Sequence, residues 1–203
     1  MNFVDYQKLA MRTAKAMETV KLDLLHGGLG MQSEAGELVT MTKAHVFYGK
    51  PFDRANAIEE MGDIMWFAAL TAASLGDDLG NIMATDSVSM QSFQTHPAHG
   101  VTSPSLGSMA NNFLFLTCEM ARHTGEALTA IYPSVFGNLE LKKNNVRHSI
   151  HNTIRAVARG ALVLTIDLDA IAIYNINKLS KRYPEKYSDV AALARADKQG
   201  EQA

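Results

Sequence analysis

Stretches in which apolar and polar residues alternate between turn signals are scarce in this chain, which removes most sheet architectures before any residue is singled out. What recurs is apolar spacing of the helical kind. Residues 3–24 set Val4, Leu9, Met17, Val20 and Leu24 among Lys, Arg and Glu with no Gly or Pro, so a long first helix is expected. Gly27-Gly28 then predicts a break, and Leu29, Leu38, Met41 and Val46 mark a second helix over 29–46. Tyr48-Gly49-Lys50-Pro51 closes it, because Gly punctuates and Pro cannot continue. Asp53 or Asn56 is placed to cap a third helix from about 54 to 75, stopped at Gly76. Helical patterning returns over 113–128 and from about 146 to 183. Residues 85–112, rich in Ser, Thr, His, Gly and Pro, read as a connector, and the polar residues 188–203 as a fraying tail. The expected fold class is all-α.

Bulk properties narrow the setting. The 203 residues suffice for one sizeable core, or for two small units sharing one. A net charge of −2 gives no reason to expect a nucleic-acid polymer or a membrane surface as partner. Residues 64–75, the most apolar run, are too short to span a bilayer. Cys118 stands alone, and residues 1–7 lack the pattern of a signal peptide. A soluble, cytoplasmic protein is expected.

Comparing the chain with itself adds an internal period. A shift of 89 residues lays 34–82 over 123–171 without a gap and makes 12 of 49 positions identical. Gly36/Gly125, Glu37/Glu126, Val46/Val135 and Phe47/Phe136 cluster near one end, with Leu75/Leu164, Asp78/Asp167 and Ile82/Ile171 near the other. Gapless register and clustering at both ends favour an old duplication over two unrelated amphipathic hairpins. The expectation is a helical bundle of two tandem degenerate repeats, 1–84 and 113–187, packed as a pseudo-dimer.

Two acid pairs stand out. Glu34 and Glu37 lie at i and i+3, on one face of the second helix, and Glu60 and Asp63 do the same on the third. An ExxE pair taken alone is most often a solvated face. Here both pairs sit in apolar surroundings, with Ile64, Met65, Trp66 and Phe67 directly after Asp63. Gly36 and Gly62 fall inside the pairs, where a small residue permits close helix approach. Four converging carboxylates raise one another's pKa unless a cation is present, and an all-oxygen set suits Mg²⁺ or Mn²⁺.

Longer motifs then match a known pattern. Leu25-His26-Gly27-Gly28-Leu29-Gly30, Glu34-Ala35-Gly36-Glu37-Leu38, Phe47-Tyr48-Gly49-Lys50-Pro51 and Glu59-Glu60-Met61-Gly62-Asp63-Ile64-Met65-Trp66-Phe67 together resemble the MazG-like, all-α NTP pyrophosphatase superfamily. The resemblance covers 2–80 and 164–187. It implies an ExxE…ExxD magnesium site on Glu34, Glu37, Glu60 and Asp63, with Mn²⁺ able to substitute. It also implies phosphate-facing Asn175 and Lys178, followed by the basic-aromatic-proline end at Arg182, Tyr183 and Pro184. The implied reaction is hydrolysis of a nucleoside triphosphate to monophosphate and pyrophosphate. Glu34 is implied as acceptor of the water's proton; a neighbouring carboxylate could take that part, and spacing does not decide.

One departure is plain. About one repeat length separates the ExxD helix from the Asn–Lys helix, which family members join almost directly. Under the 89-residue shift the four acids become His123, Glu126, Ser149 and Asn152, while Asn175 and Lys178 become Asp86 and Ser89. This complementary loss resembles the dimeric dUTPase branch, so a (d)UTP/(d)UDP hydrolase is the alternative activity and a homodimer the expected assembly. A single composite site, within one chain or between two, would draw on both halves.

Lys43, Lys50 and Arg54 flank the acids and are further candidates for phosphate contact, Gln7 for reading a base edge, and the HxxH of His148 and His151 for metal. Trp66 and Phe67 are assigned to the core. A carboxylate-bridged di-iron bundle would need Glu-x-x-His pairs, and neither Glu37 nor Glu60 has a His three residues on. A non-catalytic nucleotide-binding relative is the remaining rival.

Overall fold

A computed structural model describes residues 1–84, 109–194 and 196–198. Among the described residues eight α-helices follow one another: α1 Phe3–Met11, α2 Val20–Tyr48, α3 Arg54–Ser74, α4 Leu79–Met83, α5 Met109–Phe136, α6 Lys143–Val163, α7 Leu168–Arg182 and α8 Asp189–Ala194. A 3₁₀ turn, Ala196–Lys198, comes last, and no strand occurs among the described residues. The chain is all-α. Most of the expected connector, 85–108, lies outside the described residues together with Asp86 and Ser89, but its last residues from Met109 already belong to α5.

The helix expected over 113–128 runs longer, Met109–Phe136, and the run expected from about 146 to 183 is broken between α6 and α7, where Thr165 is left-handed. Two further differences, in the first half, have tertiary reasons. The first helix ends at Met11 rather than near residue 24. Its last carbonyls are taken from outside the helix: Ala10 O accepts from Thr13 Oγ1 at 2.7 Å and from Trp66 Nε1 at 3.1 Å. Thr19 then starts α2, its side chain accepting from the Leu22 amide. No break occurs at Gly27-Gly28, and α2 runs through it. A Cβ on Gly27 would stand 2.2 Å from Thr71 Oγ1, and one on Gly30 would stand 2.2 Å from the Phe67 ring. These glycines admit α3, at the propensity cost of glycine inside a helix.

The other stop signals act as read. Gly49 and Gly76 adopt φ of +66° and +74° where α2 and α3 end, and Asp53 caps α3 by accepting from Asn56 N. The tail is more ordered than composition suggested, forming α8 and the 3₁₀ turn.

Helix α2 packs against both α3 and α5, and α5 packs in turn against α6. One apolar core runs through all four, with Met31, Leu38, Met61 and Ile64 from the first half and Phe113, Leu116, Ile131 and Ile154 from the second.

The 89-residue period reappears in the backbone. It carries the bounds of α3 onto those of α6, and the start of α4 onto the start of α7. The left-handed Gly49 and Gly76 map onto Asn138 (φ +51°) and Thr165 (φ +54°), the two described non-glycine residues with positive φ. Contacts between the halves come in reciprocal pairs. Arg54 donates to Leu164 O at 2.9 Å, and the matching Lys143 donates to Leu75 O at 3.3 Å. Thr42 meets Thr117, while their counterparts Ile131 and Gly28 meet each other.

Candidate active site

The groove between α2 and α3 is closed at one end by α7 and holds a cavity of about 550 Å³. Residues four apart on α2 put His26, Gly30 and Glu34 on the groove side, with Glu37 one turn beyond Glu34. Helix α3 contributes Glu59, Glu60, Asp63, Trp66 and Phe67 to the same cavity.

Three of the four expected acids converge: one oxygen each from Glu34, Glu37 and Glu60 lies within 4.8 Å of the others. Glu60 is 6% exposed. Burial pushes its carboxyl up to about 9, helped by a proton-sharing bond with Glu34 and by the charges of Glu37, Glu34 and Asp63. Burial also raises Glu34. The donor set is oxygen only, which suits a hard divalent ion and not the sulfur- and nitrogen-bound metals.

Asp63 stands outside that trio. Its carboxylate accepts from Lys178 Nζ at 2.5 and 2.6 Å and from Asn175 Nδ2 at 2.8 Å. Burial raises its pKa, and the Lys178 ammonium opposes the rise. Lys178 Nζ also reaches Glu59 Oε1 at 3.3 Å. The residue thus comes from after the intervening segment and meets the first acids within one chain.

Asn175 does not face the cavity. It is fully buried, accepts from Tyr6 Oη at 3.0 Å, and packs on Gly62, where an added Cβ would lie 3.0 Å from its own Cβ. Its work is to fix Asp63 and the approach of α7. Gly62 therefore serves close packing as expected, whereas Gly36 has nothing within 4 Å of the position a Cβ would take. Arg182 lines the cavity, its guanidinium bound to both oxygens of the Asp197 carboxylate.

Other candidates are engaged elsewhere. Lys43 and Lys50 are exposed and do not line the cavity. Arg54 is held at the C-terminal end of α6 by the Leu164 carbonyl, where a cation complements the helix dipole. Gln7 is spent on backbone, donating to Asp77 O and accepting from Leu79 N. His148 Nε2 bonds to Asn152 Nδ2 at 2.9 Å, away from any acid cluster found among the described residues.

At the positions that the 89-residue shift matches to the acids, the side chains pair with close neighbours. His123 Nδ1 lies 2.9 Å from Glu126, Arg122 bridges Glu119 and Glu126, and Ser149 Oγ donates to Asn145 O.

Sequence reasoning missed His26, Glu59, Tyr6 and the tail residues Tyr187 and Asp197, and it placed Trp66 and Phe67 in the core alone. Both rings pack on the core yet also line the cavity. The i+3 and i+4 spacing of Trp66 and Phe67 from Asp63 was the available signal. Against known proteins, no family model, no curated protein and no solved structure matches this chain.

Proposed function

We propose that this chain is a divalent-metal-dependent nucleoside-triphosphate pyrophosphohydrolase that releases a nucleoside monophosphate and pyrophosphate. The observation that carries this reading is one cavity lined both by the converging Glu34, Glu37 and Glu60 and by Lys178 and Arg182. Glu34, Glu37 and Glu60 would hold Mg²⁺, or Mn²⁺ in its place, and Asp63 would join them as Lys178 is drawn toward phosphate oxygens. When bound, the metal neutralises phosphoryl charge and makes water acidic enough to attack. Glu34 would be the acceptor of the water's proton, the part the family resemblance implies for the first acid of the pair. Lys178 carries its charge from Asp63 and Glu59 to the substrate, and Arg182 does the same from Asp197. Cleavage between the α- and β-phosphates follows from the resemblance noted in the sequence.

The same reading makes the two halves a duplication packed about a local two-fold axis. Coincident helix bounds, matched left-handed residues and reciprocal contacts support it, since exchange of i–j for j–i is the mark of a two-fold interface.

Chromatography of deoxynucleoside triphosphates digested in Mg²⁺ tests the activity. Monophosphate and pyrophosphate are expected, with Glu37→Gln at least about a hundredfold slower in kcat, the order of loss for a removed electrostatic group. Diphosphate plus orthophosphate as primary products, or full activity of Glu37→Gln, overturns the proposal.

A further inference from the structure

One turn along α3 from Asp63 the cavity lining includes an aromatic corner. His26, Trp66 and Phe67 meet edge to face, with ring centroids 5.5 Å apart for His26–Phe67 and 4.8 Å for Trp66–Phe67. The corner is held from behind. Trp66 Nε1 donates to Ala10 O and Thr13 Oγ1, which is the contact that also ends α1. Phe67 lies against Gly30, where any side chain would displace it. Rings fixed in this way offer a surface to a planar ligand without losing rotamer freedom on binding.

His26 is the polar group of this corner with work left undone. Its Nδ1 is buried and has no hydrogen-bond partner among the described residues, although the side chain lines the cavity. Burial lowers the imidazole pKa against the opposing charge of Asp23, so the ring stays neutral near pH 7 and carries one proton. An orphaned buried N–H is rarer than an orphaned acceptor, which assigns the lone pair to Nδ1 and the proton to Nε2. Gln7, the other residue suited to reading a ring edge, is saturated by backbone. From His26 to Glu34 is eight residues along one helix, about 12 Å. That span fits a nucleoside phosphate with its ring at one end and its phosphates at the other.

We propose that His26 is the specificity-determining residue of the aromatic end, donating from Nε2 to a ring-nitrogen or carbonyl acceptor on the edge of a nucleobase packed in the corner of Trp66 and Phe67. This inference rests on the nucleotide reading of the same cavity and adds which residue meets the base.

Trp66 is the single tryptophan of the chain, so its fluorescence reports the aromatic end without any turnover. The full-length protein in Mg²⁺ is titrated with dUMP, dCMP, dTMP, dAMP and dGMP, and separately with inorganic pyrophosphate by calorimetry. At least one monophosphate should change Trp66 fluorescence saturably. His26→Phe keeps a ring but removes the donor, and should weaken that monophosphate about tenfold, the worth of one hydrogen bond. It should leave pyrophosphate affinity within about twofold, which also shows that the variant is folded. His26→Asn, which restores an N–H, should recover part of the loss. Unchanged monophosphate affinity in His26→Phe overturns this inference and leaves the hydrolase proposal standing. Binding of pyrophosphate but of no monophosphate also overturns it, and the triphosphate digest then decides the hydrolase proposal separately. A loss of pyrophosphate binding equal to that of monophosphate would make His26 a structural residue and overturn the inference too.

Discussion

Glu60 lies 6% exposed beside two other glutamates, and its carboxyl, pushed up to about 9 chiefly by burial, keeps a proton at neutral pH. The consequence for stability has a definite sign. A folded-state pKa above the unfolded value of 4.5 means the folded protein binds more protons between the two. Metal-free protein should therefore lose stability as pH rises from about 4.5 to 9. Glu60→Gln should flatten that slope and raise Tm by about 2–4 °C at pH 8, on the order of 1 kcal/mol at this chain length. Calorimetric scans of both proteins in EDTA across that range check it, and a parallel pH slope in the variant would reject the assignment. Because a cation must displace the shared proton, Mn²⁺ affinity should rise over the same window. Residues of this kind were legible in the sequence as far as their spacing on a helix reaches. The trio Glu34, Glu37 and Glu60 was visible as acids amid apolar neighbours. What spacing did not contain was the partner of each: Asp63 was read as a fourth ligand, yet Lys178 and Asn175 hold it. Lys43, Lys50 and Arg54 were lesser candidates beside Lys178, which the Asn–Lys motif singled out, and the packing of α7 places Lys178 alone of these four at the acids.

At the scale of elements, stop signals carried by backbone geometry were readable and those carried by tertiary contact were not. Gly49 and Gly76 end helices because their conformation is left-handed. Gly27, Gly28 and Gly30 carry the same letter for the opposite reason, since they let a continuous helix approach its neighbour. Composition cannot tell these uses apart. The end of α1 was invisible because Trp66, more than fifty residues away in sequence, takes one of its carbonyls. Position 165 extends the comparison. Thr165 holds φ of +54°, a region costly for a β-branched residue, where the first half has Gly76. Thr165→Gly should stabilise the protein by about 1 kcal/mol, and Gly76→Thr should destabilise it by at least as much. Urea denaturation followed by circular dichroism measures both; a destabilised Thr165→Gly would show that the Thr165 hydroxyl, bonded to Leu164 O, outweighs the backbone term.

Over the whole molecule, Lys178 reaches Asp63 and Glu59 of the same polypeptide, the contact that a composite site inside one chain would require. Mixing inactive Glu37→Gln with inactive Lys178→Ala should therefore restore no activity, because neither chain holds a complete set. Restoration toward a quarter of the wild-type rate, the statistical share of sites completed across chains, would place the working site at an interface instead. The internal period was legible in the sequence, and the packing of α2 on α5 followed only from the structure. The Lys178–Asp63 contact spans 115 residues. Closing so long a loop is late and slow in folding. On the ribosome, all the carboxylates of the candidate site are synthesised before Lys178, so a nascent chain carries them for more than a hundred residues without the ammonium that meets Asp63.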